Sequence, residues 1–288
     1  TTLEAPPTPE EEYDEPLSGY VDDDLDIIGG DGNTVELDEA TNTITYDFQG
    51  KDHTFTVKNE DAVSNSNKYS YVYNNVGGTL HIYQSNNLWN PWADVNGIAA
   101  GGNTIINSNL DITATSDYAS VGVTVGNGAK LVINGNVKMR KDDPSNPWGI
   151  ITKNVHGNIG PGGATSMDPT DVNYTGARWQ PSAFSVGYTM GDITVNGNVD
   201  VAVRGTAVNV GAYNSMKDVH PYNLATINLV GNSIKIETPS DERKEDGSFK
   251  EAYYSLAAYG GTINIPACQA CNINQGLQAH TLGGGHSF

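Results

Sequence analysis

The stretch "KLVINGNVKMR" (Lys130 to Arg140) is written a second time as "DITVNGNVDVAV" (Asp192 to Val203), about sixty residues further on. Each copy is a short apolar alternation, then Asn-Gly-Asn, then a second short alternation. Apolar residues at i and i+2 have the period of a strand, and Val, Ile and Thr suit a pleated surface. Leu131, Ile133, Val137 and Met139 form a template that Ile193, Val195, Val199 and Val201 match. "INLVGNSIKI" (Ile227 to Ile236) matches with one extra residue. "INIPACQACNI" (Ile263 to Ile273), "LHIYQSNNLW" (Leu80 to Trp89) and "IINSNLDI" (Ile105 to Ile112) match more loosely, which makes six copies.

A third strand-like run accompanies each copy: "YVYNNVGG" from Tyr71, "GIAAGG" from Gly97, "VGVTVGNG" from Val121, "SVGYTMG" from Ser185, "VNVGAY" from Val208 and "SLAAYGG" from Ser255. Counted from Val72 and then from those starts, the steps are 25, 24, 64, 23 and 47. A fixed period with insertions is the mark of a solenoid whose insertions are loops. Three short strands per 23 to 25 residues predict a parallel β-solenoid. An antiparallel meander competes, because Asn-Gly is the strongest hairpin signal, but hairpins would not need a third run each time. Gly and Asn tolerate the left-handed backbone region, so Asn134-Gly135-Asn136 and Asn196-Gly197-Asn198 read as corners between two faces of one coil.

The remaining organisation follows from composition. Residues 1–24 are acidic and Pro-rich, with little to bury, and read as a flexible linker. Residues 25–63 read as an N-terminal β-hairpin cap of two or three antiparallel strands, turning at "EATN" and "QGKD", since a solenoid end must be covered. Residues 64–288 hold the coils, with excursions at 141–181, 214–224 and 239–250. No run of 18 apolar residues spans a membrane, and no apolar leader opens the chain. "QGLQAHTLGGGHSF" at the end offers no evident cap, so the natural protein is expected to continue beyond Phe288.

With "GAKLVINGNVKM" and "GDITVNGNVDV" as the carrying coils, residues 71–273 resemble the passenger domains of bacterial autotransporter adhesins. The resemblance implies a right-handed parallel β-helix of the pectin-lyase-like kind. It also implies an extracellular adhesin at the bacterial surface, anchored through a region outside this chain, that attaches to host surfaces or to other bacteria in biofilm and aggregates. "NPWADVNGIAAGGNTIINSN" (Asn90 to Asn109) also resembles the Asn-Pro and Asn-Gly-Ile phrases of two-partner secreted exoproteins.

The two cysteines, Cys268 and Cys271, have CxxC spacing. A redox pair would open a helix in a βαβ context, which is missing, and a zinc site would need His280 and His286 as well. A small-loop disulfide in an oxidising compartment is the expectation, with two free thiols as the alternative. Passengers, by resemblance, keep their few cysteines close together.

No catalytic residue, cofactor or metal site is expected. Glycoside hydrolysis needs paired carboxylates in a groove, and lyases need calcium-binding carboxylates with a base. On the coils stand Asp111, Asp192, Asp200 and Arg204, and Lys130, Lys138 and Arg140 share one coil. They alternate with apolar neighbours and read as solvated outward positions without a carboxylate stack. A β-helix carbohydrate-active enzyme is the alternative function, and a structural spacer the third. "VDDDLDIIGGDGN" (Val21 to Asn33) lacks the twelfth-position Glu of a calcium loop and reads as acidic linker.

Binding remains. The net charge of −19 argues against nucleic acid and against direct membrane contact by this fragment. A host-surface glycan or protein, or another bacterial cell, is the expected partner. The chain is expected to be monomeric with some capacity for self-association. Trp, Tyr and Arg dominate binding hot spots. The candidates are therefore Trp148, Tyr174, Arg178 and Trp179 on the long excursion, with Trp89 and Trp92 as a second patch.

Overall fold

The computed structural model describes residues 33–58, 63–65, 67–85, 95–114, 120–125, 128–141, 182–186, 191–202, 207–210, 213–214, 218–219, 225–237, 255–259, 261–266, 268–273 and 277–280. Its described part is all-β and solenoid-like, with no helix among the described residues. The chain passes three sheet faces in turn, seven times.

The first coil is Thr43–Asp47 (β2), His53–Lys58 (β3) and Val63–Asn65 (β4). The second is Ser70–Ser85 (β5), which runs unbroken over two faces, and Val95–Ala100 (β6). The third is Thr104–Ala114 (β7), again unbroken, and Ser120–Val125 (β8). From here the first two faces hold separate strands. Coil four is Lys130–Ile133 (β9), Val137–Lys141 (β10) and Ser182–Val186 (β11). Coil five is Asp192–Val195 (β12), Val199–Ala202 (β13) and Val208–Val210 (β14). After the small antiparallel pair Tyr213–Asn214 (β15) and Asp218–Val219 (β16), coil six is Thr226–Leu229 (β17), Ser233–Glu237 (β18) and Leu256–Tyr259 (β19). Coil seven is Thr262–Asn264 (β20), Ala270–Ile273 (β21) and Leu277–His280 (β22).

Like strands of successive coils pair in parallel. The third face is a sheet of seven strands, β22-β19-β14-β11-β8-β6-β4. The first two faces form one sheet of thirteen, because β5 and β7 pass through the corner and join its wings. Register puts Leu131 on Ile193, Ile133 on Val195, Val137 on Val199 and Met139 on Val201. All eight side chains are buried. Each such aliphatic side chain stabilises the fold by about 1.5–3 kcal/mol on the transfer scale.

The Asn-Gly-Asn corners have a reason other than the left-handed backbone expected of them. Neither Asn134, Gly135, Asn136 nor their counterparts in coil five take positive φ. A Cβ on Gly135 would run into the carbonyl of Ser108, one on Gly197 into that of Gly135, and one on Gly231 into that of Gly197. The corners stack so closely that only hydrogen fits. The first Asn of each corner makes a side-chain ladder. Asn107 donates to Asn74 (2.9 Å), Asn134 to Asn107 (2.8 Å) and Asn196 to Asn134 (2.7 Å). The sentence is written twice because each copy is hydrogen-bonded to the other, 62 residues away.

Two expectations need correction. The cap is smaller than residues 25–63. Thr34–Asp38 (β1) does pair antiparallel with β2, but β2 and β3 both lie parallel to β5 and form the first coil. The "QGKD" turn, with Gln49 at φ 62° and Gly50 at φ 67°, turns the chain onto the next face instead of reversing it. The coils therefore begin at Thr43, not Ser64. Second, "YVYNNVGG" is no third run. It is the first-face half of β5, and the third run of that region is β4. The step of 23 to 25 residues holds on the third face, where Ile98 pairs with Val123 and Phe184 with Val208, and it is 27 residues at the corner where Asn134 bonds to Asn107. The final "QGLQAHTLGG" contributes β22, which completes a seventh coil.

Candidate functional site

The outward side of the second face carries a shallow groove of about 410 Å³ running across the coils from Thr79 to Lys235. Strand alternation builds it. In β7, β10, β13 and β18 the apolar residues Leu110, Val137, Val199 and Ile234 point inward and are buried. The next residue of each strand must then point out. Those residues are Asp111, Lys138, Asp200 and Lys235, in register with one another coil by coil. His81 precedes them in the same column, its Nδ1 3.6 Å from an Asp111 carboxylate oxygen. The column therefore alternates in sign: Asp, Lys, Asp, Lys, each about 4.8 Å from the next.

A second column lines the groove's edge. The Oδ1 of Asn109 accepts the backbone N–H of Asn136 (2.9 Å), that of Asn136 accepts Asn198 N–H (2.9 Å), and that of Asn198 accepts Ser233 N–H (3.1 Å). Among the described residues, no acceptor takes the side-chain N–H groups of Asn109, Asn136 or Asn198, which leaves one amide donor per coil facing the groove. Beyond the charged column, Arg140 Nη2 lies 3.0 Å from Asp200 Oδ1.

Asp192 belongs to the first face and has a structural task. It accepts the hydroxyls of Thr226 and Thr194 (3.1 Å to the latter) and the amide of Asn228 (3.3 Å), and Asn228 in turn accepts from Asn264 (2.7 Å). Lys130 is exposed at the head of β9. Cys268 and Cys271 are joined by a disulfide with Cα atoms 5.6 Å apart, so neither thiol is free for a metal. Among the described residues no three His, Cys, Asp or Glu side chains come together.

Trp89, Trp92, Trp148, Tyr174, Arg178, Trp179 and Arg204 all lie outside the described residues. The described part instead offers the groove, whose lining holds no Trp, Tyr or Arg. A signal was available: the middle residues of "LDI", "VKM", "VDV" and "IKI" read Asp, Lys, Asp, Lys once the copies are aligned. Against the expectation that no carboxylates accompany the lysines, register places one on each side of Lys138.

The chain matches no protein-family model, no curated protein and no solved structure. The class that fold and groove define is a parallel β solenoid-like protein with a polar, coil-periodic outer face.

Proposed function

We propose that the chain is a right-handed parallel β-helix that works outside the cell as a bacterial surface adhesin, the passenger part of an autotransporter, attaching to host surfaces or to other bacteria. The observation that supports this best is the groove: one outward amide and one charge per coil, repeated at a constant step. A surface of that kind suits an extended partner that repeats along its own length, such as a linear glycan, and it gains strength by multiplying weak contacts. The charge of −19 favours a neutral or cationic partner over nucleic acid or an anionic bilayer.

One observation favours the carbohydrate-active enzyme as the second reading. Asp111 and Asp200 stand on either side of Lys138, two coil steps or about 9.6 Å apart, close to the wide end of the carboxylate gap of inverting glycosidases. Binding without turnover is the reading we hold, because Lys138 occupies the space between them and Arg140 already engages Asp200.

The test is a screen of the intact chain on arrays of linear glycans and matrix proteins and on bacterial cells. Retention is expected for the native chain and reduced retention for an Asn136→Ala/Asn198→Ala variant. Retention that the variant leaves unchanged rules the groove out. New reducing ends or unsaturated sugar in the eluate would support the enzyme.

A further inference from the structure

The order of charges in the groove has a geometric property of its own. An alternating column with an even number of members, turned end for end, shows the opposite sign at every position. From coil three to coil six the column reads Asp111, Lys138, Asp200, Lys235. We infer that this face is an interface between two copies of the chain, laid antiparallel about a two-fold axis that runs along the strand direction between β10 and β13.

That operator sets Lys138 opposite Asp200 of the second copy and Asp111 opposite its Lys235, each pair occurring twice. It sets Asn136 against Asn198 and Asn109 against Ser233, so the amide donors left over by the corners meet polar groups across the interface. His81 falls opposite Asn272, and Arg140 opposite Ala202, so no like charges meet. A two-fold interface must be self-complementary in this way. A parallel arrangement, coil three on coil three, sets Asp on Asp and Lys on Lys and is excluded by the same charges.

The column is accessible for such a role. Asp200 and Lys235 are each 48% exposed as side chains, and Lys138 is exposed. The face is also small. Six coils at about 4.8 Å by four residues at about 3.3 Å make a patch near 29 by 13 Å, below the size of a standard stable interface. The contact is therefore weak between free molecules and strong only when many copies face each other. The long-range repulsion of two chains at −19 weakens it further at low ionic strength. The inference rests on the charge order and stands whether or not the chain is an adhesin. If it is, the partner is the same protein on a neighbouring cell.

The experiment is sedimentation equilibrium of the full chain and three variants up to millimolar concentration, at moderate salt. The wild type should show reversible dimerisation. Lys138→Asp sets Asp against Asp twice, and Asp200→Lys sets Lys against Lys twice, so each alone should raise the dimer dissociation constant tenfold or more. Mixed one to one, the two variants match at all four positions and should form a heterodimer. The double variant Lys138→Asp/Asp200→Lys is self-complementary again and should recover the wild-type constant. Within its own column the double variant has two like-charged neighbour pairs, the same number as each single variant. A mere loss of folding would therefore weaken it as it weakens them and would not restore dimerisation, and circular dichroism on each sample reads folding separately. A wild type that stays monomeric throughout, single variants that dimerise as well as it does, or a double variant that stays monomeric each overturn the inference. Glycan retention by a strictly monomeric chain would overturn it and leave the adhesin reading intact.

Discussion

The first two coils and the fourth to sixth solve one packing problem with different residues. Tyr46, Phe48, Phe55, Tyr71 and Tyr73 fill the early coils, with the rings of Tyr46 and Tyr73 edge to face at 5.2 Å. The later coils are filled by Leu131, Ile133, Val195, Val199, Ile227 and their neighbours, with no aromatic side chain among the described buried residues. The corners differ too. Coil one turns at Gln49-Gly50 and coil two passes its corner inside the continuous strand β5, whereas coils four and five turn at Asn-Gly-Asn. Tyr73 and Asn65 form an extra staple in the early half: Asn65 donates to the Tyr73 hydroxyl (2.8 Å) and to Thr104 (3.0 Å) and accepts from the N–H groups of Gly101 and Gly102. The stack is thus defined by register from coil to coil, and side-chain size is free to vary along a column, as from Tyr46 and Tyr73 to Ile106, Ile133, Val195 and Leu229.

If that is right, a charge in the aliphatic column does the most damage. Val195→Asp buries a carboxylate between Ile133 and Leu229 with no partner, and should cost about 4 kcal/mol or more, read as a shift in the urea midpoint. Next comes the glycine corner. Gly197→Ala must push coil five away from the Gly135 carbonyl, at about 2–3 kcal/mol.

The aromatic half should respond to alkali where the aliphatic half does not. Burial holds the phenols of Tyr46 and Tyr73 neutral well above their ordinary value of 10.0, and the Tyr71 phenol adds to this for Tyr46. The unfolded chain ionises near that value. Stability from these groups is therefore full below pH 10.0 and lost as pH rises past it. Tyrosinate absorbance followed with hydrogen exchange should show the early coils opening first, and simultaneous opening of both halves would erase the comparison.

The smallest effect belongs to the ladder. Asn134→Ala removes two exposed amide bonds and should cost about 1 kcal/mol in thermal unfolding, well below the glycine next to it. Equal losses at Asn134 and Gly197 would mean that the ladder, not close approach, sets the corner.

Much of the fold was legible because burial imposes period two, and Leu131, Ile133, Val137 and Met139 obey it without exception. The first coil was harder. Its inward residues Tyr46 and Phe55 look unlike Val and Ile, so a column continuous in space was broken in the alphabet. The glycine's reason was hidden for another cause: whether Gly135 needs positive φ or close approach depends on Ser108, which only the folded stack brings near. The groove was legible in the Asp, Lys, Asp, Lys order but not in residue type, because lysine and aspartate between apolar neighbours look the same on any solvated strand. Aromatic anchors drew attention to segments outside the described residues.

The central claim is that the two Asn-Gly-Asn copies lie one upon the other as neighbouring coils. Nuclear Overhauser contacts between backbone amide and α protons on a deuterated, selectively labelled chain test it directly. The account predicts contacts joining Ile133 to Val195 and Val195 to Leu229, one coil apart, together with Val137 to Val199. Contacts from Ile133 to Val137 and from Val195 to Val199 across each Asn-Gly-Asn, with none between the copies, would make each copy a hairpin and contradict it.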